Sequence, residues 1–315
     1  MSFLSTAVQS VLEEGPFCAV AASTPDGPHC TPLVFAYSGA RVWLTTSRRS
    51  VKARTWRTEP EMAGLVRHGD LAVTFAGTVK TYDALDKRTW GGAVAGATSI
   101  ARATAGFSRK NARFFAGYAF DARQVPLAWT PPGRVFVGVD LERTALLDPE
   151  GVQEGRGRWG GEALGHGTFR RSKAGEDPFA ALPAEVVEDV GREGSGSLTI
   201  AGERGPVTLP VRWRAEATAL YAALPAETLA LAGAGSEAVV ALTVDRPSVW
   251  RARDMVGAML QGQAAFFVDG SVGSGAKSMR ELAASLAPSA DALVRIEPRR
   301  VVWWKGWSSG SARLP

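Results

Sequence analysis

The chain has little of what several classes of protein require. It contains 2 cysteines, each in a strand-like segment, and 3 histidines scattered along its 315 residues, which indicates neither a disulfide scaffold nor a shared metal site. The longest nearly uncharged stretch, residues 90–100, is interrupted by glycines and is far shorter than the ~20 apolar residues of a membrane helix. The first residues lack the basic start and apolar run of a signal peptide. We therefore expect a cytoplasmic protein with no transmembrane segment and no metal site.

The overall composition is that of a globular protein, with 45% hydrophobic, 21% charged and 9% aromatic residues. The 36 basic residues exceed the 31 acidic ones by a small margin, which is compatible with an anionic small-molecule ligand. A nucleic-acid-binding surface is not favoured, because the basic residues are not regularly interleaved with aromatic residues that would stack on bases. No nucleophile motif or pair of catalytic carboxylates stands out, so nothing supports hydrolysis.

Most of the chain consists of short segments of apolar or alternating residues between tight turns, which is the pattern of antiparallel strands. The first part of the chain gives five such segments, at residues 17–23, 29–37, 41–46, 62–67 and 71–83. An amphipathic helix ended by Gly15 precedes them, and a short helix capped by Ser50 follows the third. Residues 84–122 are expected to form a mostly helical insertion.

The same order of segments recurs in the second part of the chain. TPLVFAYSGARVWL aligns with LPVRWRAEATALYA at a constant separation of 178 residues, which matches Pro32 with Pro210, Phe35 with Trp213, and Trp43 with Tyr221. Residues 135–143 align in the same way with residues 292–300. Two matching blocks in the same order indicate an internal duplication.

These patterns predict a mainly β fold with helices, built as two tandem split β-barrels that pack against each other as an intramolecular pseudo-dimer. We expect an N-terminal barrel over residues 1–145, a linker and helix over 146–193, and a degenerate C-terminal barrel over 194–315. The glycine-rich, charged residues 154–177 are expected to be a linker or an irregular surface strand, and residues 177–191 a helix. A chain that contains its own pseudo-partner is expected to act as a monomer.

One glycine-rich segment has the order of a phosphate-binding loop but not its spacing. FFVDGSVGSGAKSMRELA, residues 266–283, gives a strand, glycines, Lys277 with Ser278, and a helix. Ala276 separates the last glycine from Lys277, which disturbs a geometry that depends on consecutive N–H groups. We interpret this segment as a loop between a hairpin and a helix.

The segment LTTSRRSVKARTWR, residues 44–57, concentrates five basic side chains and several hydroxyls behind the end of a strand. Unpaired N–H groups at the start of a helix, together with hydroxyls, Lys and Arg, can hold an anion through charge-assisted hydrogen bonds. The segment therefore predicts an anion site. The alternative is that the arginines solvate one face of an exposed helix.

Residues 15–83 resemble the FMN-binding split barrel of the pyridoxamine 5'-phosphate oxidase family. The resemblance rests on Thr46 at a strand end, Ser50 and Lys52 in the following turn, and Pro60 after the short helix. Val51 departs from the pattern, because the oxidases of the family usually have Arg there. Arg48 or Arg49 would then have to complete the phosphate clamp.

The resemblance implies an FMN site whose residues can be named. Its phosphate would be held by Thr46, Ser47, Arg48, Arg49, Ser50 and Lys52. Its ring would lie along Thr31, Pro32, Leu33 and Val34. The corresponding turn of the second half, PAETLALAGAGSE, has no Lys or Arg, so one cofactor per chain is expected, with the second half as a wall. The wall candidates are Arg212, Trp213, Gln261, Gln263, Trp303 and Trp304, of which Trp303 is included among the cofactor-binding residues.

The resemblance also implies a function, that of a flavin-dependent oxidoreductase which transfers a hydride at the flavin N5 to or from a small molecule. Such a reaction needs no protein acid or base. Coenzyme F420, a deazaflavin used in the same superfamily, is an alternative cofactor, and its longer anionic tail would suit Arg49, Arg54 and Arg57. A non-catalytic protein that binds flavin, or binds haem through a single histidine, is the other alternative.

Overall fold

The structure, a computed structural model, describes residues 4–121, 133–160, 177–202, 204–216, 218–268 and 276–314. Its helices are α1 (Thr6–Glu14), α2 (Val51–Thr55), α3 (Trp90–Ala95), α4 (Ala97–Lys110), α5 (Ala112–Phe120), α6 (Ala184–Val190), α7 (Ala226–Ala230) and α8 (Ala276–Leu286). In the part of the chain that is described, no helix is both long and apolar enough to cross a membrane.

Strands make up 50% of the described residues, which confirms the mainly β fold. The strands of the first half are β1 (Cys18–Thr24), β2 (Gly27–Leu33), β3 (Phe35–Ser38), β4 (Arg41–Ser47), β5 (Glu61–His68), β6 (Leu71–Tyr82), β7 (Arg134–Asp148) and β8 (Gly151–Arg156). Those of the second half are β9 (Glu193–Gly202), β10 (Gly205–Ala215), β11 (Leu220–Leu224), β12 (Glu237–Arg246), β13 (Val256–Val268), β14 (Ala292–Lys305) and β15 (Ser308–Arg313).

Each half forms one antiparallel sheet that curls into a barrel-like shape. The order in the first half is β2-β1-β5-β6-β7-β4-β3, with β8 on β7. The order in the second half is β11-β10-β9-β12-β13-β14-β15, and a further pairing of β11 with β14 closes a barrel of 6 strands. In the first half β2 and β3 together take the place of β10, and the chain passes between them at Val34. This confirms the expected pair of split barrels, while the single strand predicted over residues 29–37 is interrupted.

The strand registers of the two halves correspond residue by residue. Ala36 on β3 pairs with Trp43 on β4, and Arg214 on β10 pairs with Tyr221 on β11. These are the positions that the sequence alignment matched. Phe35 and its counterpart Trp213 are both fully buried, each in the core of its own half. The matching registers are the relationship that a tandem duplication would produce.

The correspondence extends to an irregularity in the longest antiparallel strand pair of each half. The pairing of β6 with β7 shifts between Ala76 and Gly77, and that of β13 with β14 shifts between Gln261 and Gly262. A Cβ atom on Gly77 would collide with the carbonyl oxygen of Asp140, and one on Gly262 with that of Glu297. Both bulges therefore require glycine, since the opposite backbone occupies the space of a side chain.

The two halves pack directly on each other through β2 and β10. Strand β2 lies on β9, β12 and β13, and β10 lies on β1, β5 and β6. Cys30 on β2 donates its N–H to Met259 Sδ at 3.2 Å and accepts from Thr243 Oγ1 at 3.0 Å. In the counterpart contact, Thr74 Oγ1 donates to the carbonyl oxygen of Thr208 on β10 at 2.7 Å. Buried hydrogen bonds thus fix the position of one half against the other.

The smaller predicted elements are found with some changes. Ser50 caps α2 by accepting from Ala53 N, and Gly15 ends α1. The helix expected over residues 177–191 is a 3₁₀ turn at Pro178–Ala181 followed by α6, because Pro183 separates them. Residues 151–156 belong to strand β8, while most of the expected linker lies outside the described residues. The glycine-rich loop of residues 269–275 also lies outside them.

Candidate functional site

A cleft of about 320 Å³ lies between the two halves. The first half contributes β2, Val34, the end of β4 with the turn that follows, and Phe114 of α5. The second half contributes Ala252, Met255 and residues 302–309 at the β14–β15 hairpin. This volume lies within the ~300–1,000 Å³ of pockets that bind small molecules. The cleft brings together most of the residues that the sequence nominated.

Strand β2 forms the floor of the cleft and alternates along its length. His29, Thr31 and Leu33 are half-buried, whereas the residues between them are buried. Thr31, Pro32, Leu33 and Val34, the predicted ring site, all line the cleft. Because Val34 belongs to neither β2 nor β3, the sheet is interrupted where the chain faces the cleft.

Lys52 lies at the bottom of the cleft and is 3% exposed. Its Nζ donates a hydrogen bond to Thr31 Oγ1. Burial lowers the pKa of this ammonium to about 8, because removal from water disfavours the charged form. Among the described residues, no carboxylate oxygen lies within 4.0 Å of Nζ. The cleft therefore contains a buried cation whose charge the surrounding side chains do not neutralise.

Three hydroxyl groups share the cleft with Lys52, two at the end of β4 and one in the turn that follows it. Thr46 Oγ1 lies 3.1 Å from Ser50 Oγ, which also accepts from Ala53 N at 3.1 Å. Ser47 Oγ accepts from Arg49 N at 3.3 Å. All three residues line the cleft. Hydroxyls can donate to an anion after a rotation of the O–H bond, so the turn adds donors to the charge of Lys52.

Arg48 and Arg49 occupy different surroundings from the other nominated residues. Arg48 forms an ion pair with Asp83, a buried carboxylate that also lies 3.9 Å from Arg57. Arg49 is exposed, as is Arg54. Neither Arg48 nor Arg49 lines the cleft. Their proposed role as phosphate ligands therefore stays a prediction, whereas Arg48 has a clear structural contact with the start of the helical insertion.

Arg134 supplies a basic side chain to the cleft that the sequence did not reveal. It pairs with Ser47 across the β4–β7 ladder, and its guanidinium donates to Thr45 Oγ1 at 3.0 Å and to Thr45 O at 2.8 Å. The residue lies far along the chain from the basic turn. Its proximity follows from the pairing of β7 with β4, for which the local sequence carries no signal.

The wall from the second half is aromatic. Of the six candidates, Trp303 and Trp304 line the cleft, and Trp307 joins them from the hairpin. Trp213 instead packs in the core of the second half, stacked on Phe179 at 5.9 Å. The remaining candidates, which also do not line the cleft, are Arg212, Gln261 and Gln263.

His29 is a second cleft residue that sequence reasoning missed. Burial lowers its pKa to about 3, and the nearby charges of Lys52 and Arg300 act in the same direction. The imidazole is therefore neutral near pH 7. From the sequence, the histidines were considered only as ligands of a metal or of haem, although the position of His29 two residues before Thr31 on an alternating strand places both on one face. Within the described ranges, no cluster of His, Cys, Asp or Glu is suited to a metal.

The corresponding region of the second half has a different chemistry. When β2 and β10 are matched through their pairing with β1 and β9, the counterpart of Thr31 is Leu209, which is fully buried. The turn after β11 continues into α7 without a basic residue, and Trp159 and Leu231 pack beside it. The arrangement around Lys52 is therefore not repeated there.

Comparisons with known proteins give structural neighbours only. No family model matches the chain, and no curated protein does. The neighbours include an FMN-binding protein related to pyridoxamine 5'-phosphate oxidase from Nostoc punctiforme, at 18% identity and a TM-score of 0.34 over 48% of this chain and 88% of the other.

Two further neighbours carry related descriptions. An F420 reductase is 19% identical, with a TM-score of 0.30 over 45% of this chain and 98% of the other. An FAD-binding protein from Mesorhizobium loti is 18% identical, with a TM-score of 0.31 over 45% and 94%. The neighbours thus include the family that the sequence resembles, and each covers about half of this chain.

Proposed function

We propose that the cleft binds one phosphate-bearing flavin per chain, FMN or the deazaflavin coenzyme F420, and that the protein is an oxidoreductase acting on a small molecule. The observation that carries this proposal is Lys52. Among the described residues its one hydrogen-bond partner is the hydroxyl of Thr31, and such a buried ammonium is costly unless an anion compensates its charge.

The residues around Lys52 fit a phosphate group. A phosphate oxygen would accept from Lys52 and from the hydroxyls of Thr46, Ser47 and Ser50, all of which line the cleft. Arg134, opposite Ser47, adds positive charge at the same end. The group that binds here would be an anion that reaches deep between the halves, and a flavin phosphate has this character.

The rest of the cleft fits a flat, partly apolar ring. Trp303, Trp304 and Trp307 line the cleft together with Val34, where the sheet is interrupted, so its walls include both aromatic rings and polypeptide backbone. Aromatic walls favour planar ligands through stacking and exclude water. This arrangement supports the sequence-based assignment of Thr31 to Val34 and of Trp303 to the ring site.

A bound flavin would supply hydride chemistry, while the protein supplies position and electrostatics. Lys52 and the hydroxyls would fix the phosphate end and thereby the depth of the ring. Thr31 Oγ1, already bonded to Lys52, would link this end to the floor of β2. The neutral His29 can accept or donate a hydrogen bond at the edge of the cleft without adding charge.

Absorption spectra can distinguish whether the cleft holds FMN or F420. Arg49 and Arg54 are exposed near the turn and available to a longer anionic tail, which favours F420, whereas Arg48 and Arg57 contact Asp83. A haem held by His29 is the non-catalytic alternative, since this histidine faces the cleft. The three ligands differ clearly in their absorption spectra.

The test is the absorption spectrum of the purified protein, repeated after addition of FMN, F420 or haemin and removal of free ligand. We expect retention of FMN or F420 at about one per chain by the wild type, and its loss in Lys52→Met. Lys87→Met, the same substitution at an exposed lysine that does not line the cleft, is the matched control and should retain the cofactor.

Two results would contradict the proposal. Retention of neither flavin by the wild type would show that the cleft serves another ligand. Equal retention by Lys52→Met would show that the flavin binds without the buried cation. A haem spectrum that is lost in His29→Gln would favour the non-catalytic alternative.

A further inference from the structure

A second cleft between the halves, of about 230 Å³, lies away from the one described above. Three of its lining residues are arginines, Arg143 on β7, Arg158 after β8, and Arg204 in the turn before β10. Two glutamates, Glu61 and Glu142, also line it. The cleft therefore has an unusual concentration of charge in a small volume.

Arg143 is the buried member of this group, with 8% of the residue exposed. Its guanidinium lies 5.3 Å from the ring of Trp159 and donates a hydrogen bond to the carbonyl oxygen of Arg204. Among the described residues, no carboxylate lies within ion-pair distance of Arg143, Arg158 or Arg204. A buried guanidinium has five N–H donors, and one carbonyl satisfies only part of them.

The pseudo-symmetry of the molecule provides an internal comparison for this contact. Arg143 pairs with Ala76 at the bulge of the first half, and Arg300 pairs with Gln261 at the bulge of the second. The two arginines therefore occupy equivalent positions. Arg300 forms an ion pair at 3.2 Å with Asp26, which lies in the β1–β2 turn of the opposite half.

The equivalent of that aspartate is an arginine. Asp26 precedes Gly27 in the β1–β2 turn, and Arg204 precedes Gly205 in the β9–β10 turn, with both glycines at positive φ. At one interface this position holds the ion pair of Arg300 with Asp26, and at the other interface it holds Arg143 beside Arg204. Opposite charges therefore meet at the first position, and like charges meet at the second.

The two glutamates only partly offset this charge. Glu61 Oε2 lies 2.7 Å from the position that a Cβ atom on Gly205 would occupy, and Glu142 accepts from the hydroxyl of Thr78. Burial lowers the pKa of Arg143, the charge of Arg204 acts in the same direction, and Glu142 and Glu61 oppose them. The cleft thus carries three guanidinium groups and two carboxylates, and the excess charge is positive.

We propose that this cleft binds a small oxyanion, a carboxylate or a phosphate group, between the guanidinium groups of Arg143 and Arg204, with Arg158 at its edge. The planar fork of a guanidinium matches two oxygens of such an anion. The anion takes the position that Asp26 has beside Arg300 in the other interface. This site is independent of the proposed flavin site and joins the two halves.

The experiment measures anion binding by calorimetry at constant ionic strength, with inorganic phosphate, succinate and chloride as probes. It uses Lys52→Met as the starting protein, so that phosphate in the first cleft does not contribute. The decisive variant adds Arg204→Asp, which recreates the Arg300–Asp26 pair with Arg143. The matched control adds Arg212→Asp, an exposed arginine that undergoes the same change of charge.

We expect saturable binding of one phosphate or succinate, an affinity at least about tenfold lower in Arg204→Asp, and no such loss in Arg212→Asp. Arg204→Asp should also be more stable than its parent without anion. Phosphate alone, or succinate alone, would assign the anion class. No saturable binding, or equal losses in both variants, would overturn the proposal. Neither result bears on flavin binding by the wild type.

Discussion

The ammonium group of Lys52 donates a hydrogen bond to the hydroxyl of Thr31 across the floor of the cleft. This contact joins the basic turn to the strand that the sequence assigned to the flavin ring. Because the hydroxyl is neutral, it does not compensate the positive charge of this buried ammonium.

Replacement of Lys52 with Met should separate stability from binding. Without ligand, loss of a buried charge that lacks a carboxylate should raise the free energy of unfolding at pH 7 by about 1–3 kcal/mol. The same change should reduce flavin affinity at least about tenfold. Urea unfolding and a binding titration measure the two effects, and a variant that lost both stability and binding would contradict the interpretation.

The pKa of Lys52 gives a pH dependence with a defined sign. The folded protein releases this proton near pH 8, whereas the unfolded chain retains it to about 10.5. Lys52 should therefore contribute a rise in the stability of the ligand-free protein between pH 8 and 10.5. The affinity of the cleft for a flavin phosphate should fall over the same range, because the neutral amine attracts the anion less. Both trends should appear as differences between the wild type and Lys52→Met, since Lys110 and the two buried cysteines, whose pKa values are also shifted by burial, titrate in both proteins.

The buried imidazole of His29 predicts sensitivity to acid. Its pKa is about 3 in the folded protein against an ordinary value of 6.5, so the unfolded chain takes up a proton first as the pH falls. This should cost about 2–4 kcal/mol of stability between pH 6.5 and 3. His29→Gln should remove most of that loss in denaturant titrations. The exposed His68, changed in the same way, should not.

The ion pair of Arg48 with Asp83 should matter for the insertion more than for the phosphate. Asp83 is buried and also accepts from Leu85 N at 2.9 Å, where the chain leaves β6. Asp83→Ala should destabilise the protein by about 3 kcal/mol, because Arg48 would keep a partly buried charge. If the guanidinium of Arg48 in the wild type remains paired with Asp83 when the flavin is bound, Arg48→Met should change flavin affinity by no more than about twofold. A large loss of affinity would restore Arg48 to the phosphate site.

The two bulges should respond alike to the same substitution. Gly77→Ala and Gly262→Ala should each destabilise the protein by about 2–4 kcal/mol, because each new Cβ meets a backbone carbonyl. Gly155→Ala on β8, where no atom lies within 4 Å of an added Cβ, should change stability little. Thermal unfolding of the three variants provides the comparison.

Much of the fold was accessible from the sequence because it depends on local patterns. Alternation and turn residues gave the strands, and the match of Phe35 with Trp213 anticipated the shared register. The break at Val34 was missed, since an uninterrupted apolar run carries no mark of where a ladder ends. The second barrel has buried residues at the matching core positions, while its corresponding turn has no basic residue, and the sequence showed both features.

The site was less accessible, because side-chain partners come from distant parts of the chain. The basic turn pointed to Lys52, but nothing local revealed that Asp83 would hold Arg48 or that Arg134 would enter the cleft. His29 was open to prediction, since it alternates with Thr31 on one strand face. The exchange of Asp26 for Arg204 becomes visible only when the registers of the two halves are compared.

The most direct test of the central claim is a crystal structure of the protein with FMN or F420. We expect one cofactor per chain, with its phosphate in contact with Lys52 and its ring between Val34 and Trp303. A cofactor in the second half, or one whose phosphate lies away from Lys52, would contradict it.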